Sequence, residues 1–162
     1  MARTSSCTLI LCSCLLISSA CGPAVDLTQG LRVEVEKTGW FDAGIVNGQN
    51  KLVPMASFRL KNVSGQRLST LQVNALFRRV TEPDEWGSAL VMAAGSAGLL
   101  PGATTDTLTA KSQLGYTGVD PRQDMLKNTH FVDAKVELFA KYGSAQWVRV
   151  GEYPIARELI TK

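Results

Sequence analysis

Apolar and polar side chains alternate in run after run of this chain, and that period of two restricts most of it to strands with one buried face. Leu31, Val33 and Val35 alternate with Arg32, Glu34 and Glu36, and Ala56, Phe58 and Leu60 with Ser57, Arg59 and Lys61. The pattern returns at Leu71, Val73, Ala75 and Phe77 against Gln72, Asn74 and Arg78. It returns again at Val132, Ala134, Val136, Leu138 and Ala140 against Asp133, Lys135, Glu137 and Lys141. A strand turns successive side chains to opposite faces, so each run offers one face to a core and one to water. Leu76 interrupts a polar face, as an edge contact, the result of a bulge or part of a partner surface.

Turn signals separate these runs. Asn47-Gly48 marks a tight hairpin, Asn62-Val63-Ser64-Gly65 a second turn, and Pro83 ends the run from Leu68 to Val80. Ala89 to Leu100 is apolar but rich in small residues, and Gly95 and Gly98 oppose a helix, so it reads as a short strand and then a loop. Pro101-Gly102 turns the chain into Thr104 to Ala110, and Gly143-Ser144 turns it into a last strand around Trp147, Val148 and Val150. Asp120 as a cap, Pro121 at the first helical position and Gln123 at capping-box spacing predict one short helix ending near Asn128. Its Met125 and Leu126 would plug one end of the core. Without long crossover helices, antiparallel sheets are favoured over a parallel nucleotide-binding sheet. The expected fold is all-β, an antiparallel β-sandwich of about seven strands with one short helix, spanning residues 31–162 as a single domain.

The four cysteines stand at positions 7, 12, 14 and 21. An even number invites a disulfide or metal framework, but all lie at the front and three fall within an apolar run. Arg3 forms a basic head, Cys7 to Ile17 an apolar stretch, and Ser18-Ser19-Ala20 a small-residue processing site, which is the layout of a signal peptide. A bilayer-spanning helix takes about 20 apolar residues, and this stretch is shorter. Cleavage before Cys21 would leave one thiol and no disulfide, so the domain must be held by apolar packing. Gly22 to Gly30, with Pro23 near its start, reads as a short tether.

Ile17-Ser18-Ser19-Ala20-Cys21-Gly22 resembles the lipoprotein box of bacterial envelope proteins, with Ser18 where an aliphatic residue usually stands. The resemblance implies residues 1–20 as lipoprotein signal, lipid (including palmitate) on Cys21, and residues 21–30 as a lipidated tether. It also implies attachment to the periplasmic face of the outer membrane, since Gly22 is not the aspartate associated with inner-membrane retention. Several acyl chains anchor far more firmly than one.

The domain itself resembles bacterial extracytoplasmic immunoglobulin-like domains with an FxLYD-type strand pattern. The matching pieces are Phe58-Arg59-Leu60-Lys61-Asn62-Val63-Ser64, Leu71 to Phe77, Leu99-Leu100-Pro101-Gly102 and Val136-Glu137-Leu138-Phe139. The resemblance implies an immunoglobulin-like sandwich and assigns no activity, because such folds host many functions.

Chemistry-bearing constellations are sparse. His130 is the one histidine, so a zinc site of several histidines and thiolates is excluded, and the acids lack calcium-loop spacing. Ser112, His130 and Asp133 supply the residue types of a hydrolase triad without a nucleophile turn or oxyanion motif. Gly95-Ser96-Ala97-Gly98 lacks the lysine of a phosphate loop. The formal net charge is +3, with acids and bases interspersed, which does not suit nucleic acid. Asn62-Val63-Ser64 has glycosylation spacing but reads as a turn. No cofactor or metal is expected, and no catalytic residue is assigned.

Surface recognition remains. Trp86, Leu90, Val91 and Met92, with Leu99 and Leu100, form a candidate contact for an envelope protein or for a lipid or small apolar ligand. Core packing at the open end of the sandwich is the competing reading, and it applies also to Trp40 and Phe41. The expectation is a noncatalytic, lipid-anchored interaction or accessory module of the cell envelope. An apolar-ligand-binding lipoprotein and a hydrolase are the alternatives.

Overall fold

The computed structural model describes residues 24–161, so the signal segment and Cys21 lie outside the described residues. The elements run α1 (Leu27–Gly30), β1 (Leu31–Val46), β2 (Gln49–Asn62), β3 (Leu71–Arg79), β4 (Gly87–Ala94), β5 (Leu108–Lys111), β6 (Tyr116–Gly118), α2 (Arg122–Lys127), β7 (Ala134–Lys141), β8 (Val148–Pro154) and β9 (Leu159–Ile160). One sheet has the order β5-β2-β1-β9, with β6 also on β2; the other has the order β4-β3-β7-β8. Strand pairs are antiparallel except β1 with β9. The two sheets face each other as a sandwich.

Asn47 and Gly48 take φ of 52° and 77°, the left-handed pair that a two-residue hairpin needs to match strand twist, and they join β1 to β2. Alternation then places Leu71, Val73, Ala75 and Phe77 of β3 beside Ala134, Val136, Leu138 and Ala140 of β7, all buried. The facing sheet contributes Trp40, Leu52, Ala56, Phe58, Leu60 and Ala110 to the same cluster. Each large side chain so enclosed contributes about 1.5–3 kcal/mol relative to exposure. Gly39 admits β9 alongside β1: a Cβ there would lie 2.7 Å from Ile160 Cδ1 and 2.8 Å from the Glu158 carbonyl. The Trp40 amide donates to that same carbonyl at 2.8 Å.

The described residues contain nine strands and two short helices, where about seven strands and one helix are expected. The additions are α1, β6 and β9, too short to show a period. Asp120 does not cap α2: Pro121 holds the N-cap position with no side-chain bond, and the Asp120 carbonyl accepts instead from Asn50 Nδ2 at 2.9 Å. Met125 and Leu126 are buried, as their placement on the helix predicts. Leu76 sits in regular register with Ser88 and Glu137, so no bulge accounts for it. Trp147 precedes β8 and stays partly exposed rather than entering the core.

Candidate functional site

The expected contact set separates into distinct places. Trp86 lies at the end of the sandwich near α2, where its amide donates to the Phe77 carbonyl at 2.8 Å. Its ring packs with Trp40 (centroids 6.0 Å apart) and Tyr116 (5.0 Å), and the Arg79 guanidinium stacks on it at 4.6 Å. Trp40, Tyr116 and Phe131 complete the cluster, with Phe131 edge-on to Trp40 at 4.6 Å. Trp86 thus closes the core at this end. Leu99 is buried too, and its backbone exchanges hydrogen bonds with Leu68 at 3.0 Å in each direction. Val91 points inward and packs against the core cluster.

Leu90, Met92 and Leu100 face outward. Leu90 is 67% exposed and Met92 55% exposed, two residues apart on the same face of β4. β4 is the terminal strand of its sheet, and among the described residues it pairs only with β3. Its first residue, Gly87, is backed by Ser112, and β5 of the facing sheet runs close beside the strand. Across the sheet, Leu90 lies opposite Asn74, which lies opposite Phe139, and Met92 lies opposite Gln72, which lies opposite Lys141. Leu100 belongs to the other end of the sandwich, in the connection after β4.

The same outer face carries a charge network. Arg78 Nε meets Glu137 at 2.7 Å, Arg149 meets Glu137 at 3.1 Å and Lys135 meets Glu152 at 3.0 Å; Arg149 also pairs with Glu152. Glu137 is held below the ordinary glutamate value, chiefly by the hydrogen bond from Arg78, against the opposing effect of burial and with the attraction of Arg78, Arg149 and Lys135. Leu90 and Met92 therefore border a face on which three bases share two acids.

Two residues of the hydrolase alternative, Ser112 and Asp133, have side chains engaged elsewhere, and His130 lines the cleft described below. Ser112 is buried, its amide donating to Pro54 O at 3.0 Å and its hydroxyl accepting from the Leu114 amide at 3.1 Å. The Asp133 carboxylate takes Arg157 Nε at 2.6 Å, and the Asn128 side chain accepts from the His130 amide at 2.9 Å. No hydrogen bond joins Ser112, His130 and Asp133 to one another among the described residues. Among those residues, no three His, Cys, Asp or Glu side chains are gathered as a metal site would need.

A cleft of about 310 Å³ opens between β6 and α2, lined by Tyr116, Gly118, Asp120, Met125, His130 and Phe131 among others. It lies away from the stretch from Leu90 to Leu100 where the apolar-ligand alternative looks for one. Sequence pattern gives no notice of it, because its walls come from a three-residue strand, a six-residue helix and the loop after it.

Asn62 is a structural centre that the turn reading understates. Fully buried, it donates from Nδ2 to Gln66 O at 2.7 Å and Leu99 O at 2.8 Å, while its Oδ1 accepts from the Ser64 amide at 3.0 Å and the Ser64 hydroxyl at 2.7 Å. Its amide nitrogen is thus enclosed rather than presented for glycosylation.

No protein-family model matches the chain, and no curated protein matches it. It is similar at a TM-score of 0.42 and 14% identity to a solved structure described as the X-ray structure of Northeast Structural Genomics Consortium target SoR45. The similarity covers 81% of this chain and 89% of that one.

Proposed function

We propose that this chain is a noncatalytic interaction module of the bacterial envelope: an immunoglobulin-like sandwich, tethered through lipid on Cys21 to the periplasmic face of the outer membrane, that offers β4, the last strand of its sheet, to a protein partner. The observation that carries the reading is the exposure of Leu90 and Met92 on a terminal strand that pairs on one side only. Such an edge accepts an added strand through main-chain hydrogen bonds, and its apolar side chains select what is added. A tether raises local concentration, so the contact works with a small interface. The engagement of the Ser112 and Asp133 side chains in separate structural roles weighs against the hydrolase alternative.

A photo-crosslinking residue at position 90 or 92 in intact envelopes should capture a defined partner, and Leu90→Asp should abolish the capture while the domain stays folded. An unchanged partner profile in folded Leu90→Asp protein sinks the proposed site. The second reading, a small apolar ligand, is favoured by the aromatic lining of the cleft at Tyr116 and Phe131. It fails if native mass spectrometry of detergent-free protein finds neither a bound species nor exchange of an added apolar ligand.

A further inference from the structure

The two ends of the sandwich differ in whether their basic side chains are paired. At one end, α1 and the connections 63–70, 95–103 and 142–147 are knit together by backbone bonds: Val63 N to Gly30 O at 2.9 Å, Gly102 N to Asn62 O at 2.8 Å, Thr70 N to Gly95 O at 2.8 Å and Gly143 N to Ser69 O at 3.0 Å. None of those three connections contains an acid, and the acid beside them is Asp26, whose carboxylate is turned to the Thr28 amide and hydroxyl as the cap of α1. They expose Leu100 (56%), Val63 (42%) and Trp147 (39%), flanked by Lys61, Arg67 and Lys141. None of these three bases forms an ion pair among the described residues, and Lys141 Nζ instead lies 4.9 Å from the Trp147 ring centroid. At the opposite end, exposed apolar residues such as Val80 and Val119 stand among acids and bases that pair with one another, Arg79 with Glu82, Arg122 with Asp42 and Lys127 with Asp124.

The chain leading to Cys21 enters at the end carrying Lys61, Arg67 and Lys141. Val25 is fixed there, its amide donating to the Tyr142 hydroxyl at 2.6 Å, and Leu27 is buried. From Cys21 to Val25 the chain spans at most about 14 Å when fully extended. The nine-residue β3 alone is about 30 Å long. A lipid on Cys21 therefore cannot bring the far end to the bilayer, whereas the end carrying Lys61, Arg67 and Lys141 lies within reach of the headgroups.

We infer that this end, with Val63, Leu100 and Trp147 inserted among headgroups and Lys61, Arg67 and Lys141 on their phosphates, is a membrane-seating surface that stands the sandwich upright on an anionic bilayer. An exposed tryptophan beside a lysine suits the interface, where the ring takes the apolar side and the ammonium the wet one. Basic residues near the surface gain from anionic lipid and lose that gain in salt. Seating fixes the azimuth of the domain, and β4 then runs up the side of the sandwich, clear of the membrane. The inference rests on the lipid-anchor reading.

Two measurements separate the inference from that reading. The mass of the native chain tests the anchor: an unacylated Cys21 removes the anchor and, with it, the seating. In the second, the processed chain, which keeps every described residue, is coupled through its Cys21 thiol to a maleimide lipid in vesicles. These hold a mixture of zwitterionic and anionic phospholipids with brominated acyl chains. Trp147 emission should be quenched, Trp147→Phe should lose the quenching, and Lys61→Gln/Arg67→Gln/Lys141→Gln or high salt should reduce it. Zwitterionic vesicles should quench less. Absence of quenching, or equal quenching in Trp147→Phe, overturns the seating surface while leaving the anchor intact.

Discussion

The amide of Val25 donates to the hydroxyl of Tyr142 at 2.6 Å, joining residues 117 positions apart. Tyr142 follows directly on β7, a central strand, so the chain at Val25 is held on the folded body. Replacing Tyr142 with Phe keeps the ring and removes the acceptor. The expected cost is about 1 kcal/mol, read as a lower Tm, together with faster proteolysis ahead of Leu27.

Asn62 ties three segments of the same end together with four side-chain hydrogen bonds. Asn62→Ala leaves the Leu99 carbonyl without its side-chain donor and releases the Ser64 turn. A loss of roughly 3 kcal/mol is expected, measured as a shift of the urea midpoint. An Asn62→Ala protein of unchanged midpoint would mean that the turn is held by its backbone alone.

Trp86 and Leu90 should separate cleanly. Trp86→Ala removes one ring of a four-ring cluster and the surface on which Arg79 stacks; about 3 kcal/mol of stability should be lost. Leu90→Asp changes an exposed side chain and should stay within about 0.5 kcal/mol of the parent. Thermal unfolding of both variants decides the matter, and a large destabilisation by Leu90→Asp would mean that β4 is covered.

Glu137 gives the domain an acid-sensitive element. Its folded-state value is depressed, so its contribution is present above the ordinary glutamate value, where the unfolded chain is also ionised. That contribution is lost as pH falls through the lowered folded value, because the unfolded chain takes up the proton first. Glu137→Gln should reduce stability at neutral pH and flatten the acid limb of a stability–pH curve. The difference between parent and variant should shrink as the pH is lowered.

Legibility from sequence followed local regularity. At β3 and β7 every second residue is apolar and buried, so the inner face can be read residue by residue although Leu76 and Phe139 fall on the outer one. β1 defeats the same reading because register shifts fall between Val35 and Lys37 and between Asp42 and Ile45, so Trp40 and Phe41 lose their phase. Val53 and Met55 of β2 are buried alongside Leu52 and Ala56, which hides the period in burial. Trp86 reads as a loop residue because Pro83, Asp84 and Glu85 precede it, and the rings that enclose it come from positions 40, 116 and 131. The outward direction of Leu90 and Met92 follows the parity of β4, whereas the terminal place of that strand depends on strand order, which no local pattern encodes.

The parallel pairing of β1 with β9 has a consequence in time. β1 is made first and can fold back on β2 at once, but the Trp40 amide finds its partner only when Glu158 has been made. Closure over Trp40 is therefore the most non-local event in the assembly of its sheet, and contacts of such separation form slowly. A chain halted a few residues early would hold its hairpins yet lack the latch, and would be left as prey for proteases and chaperones.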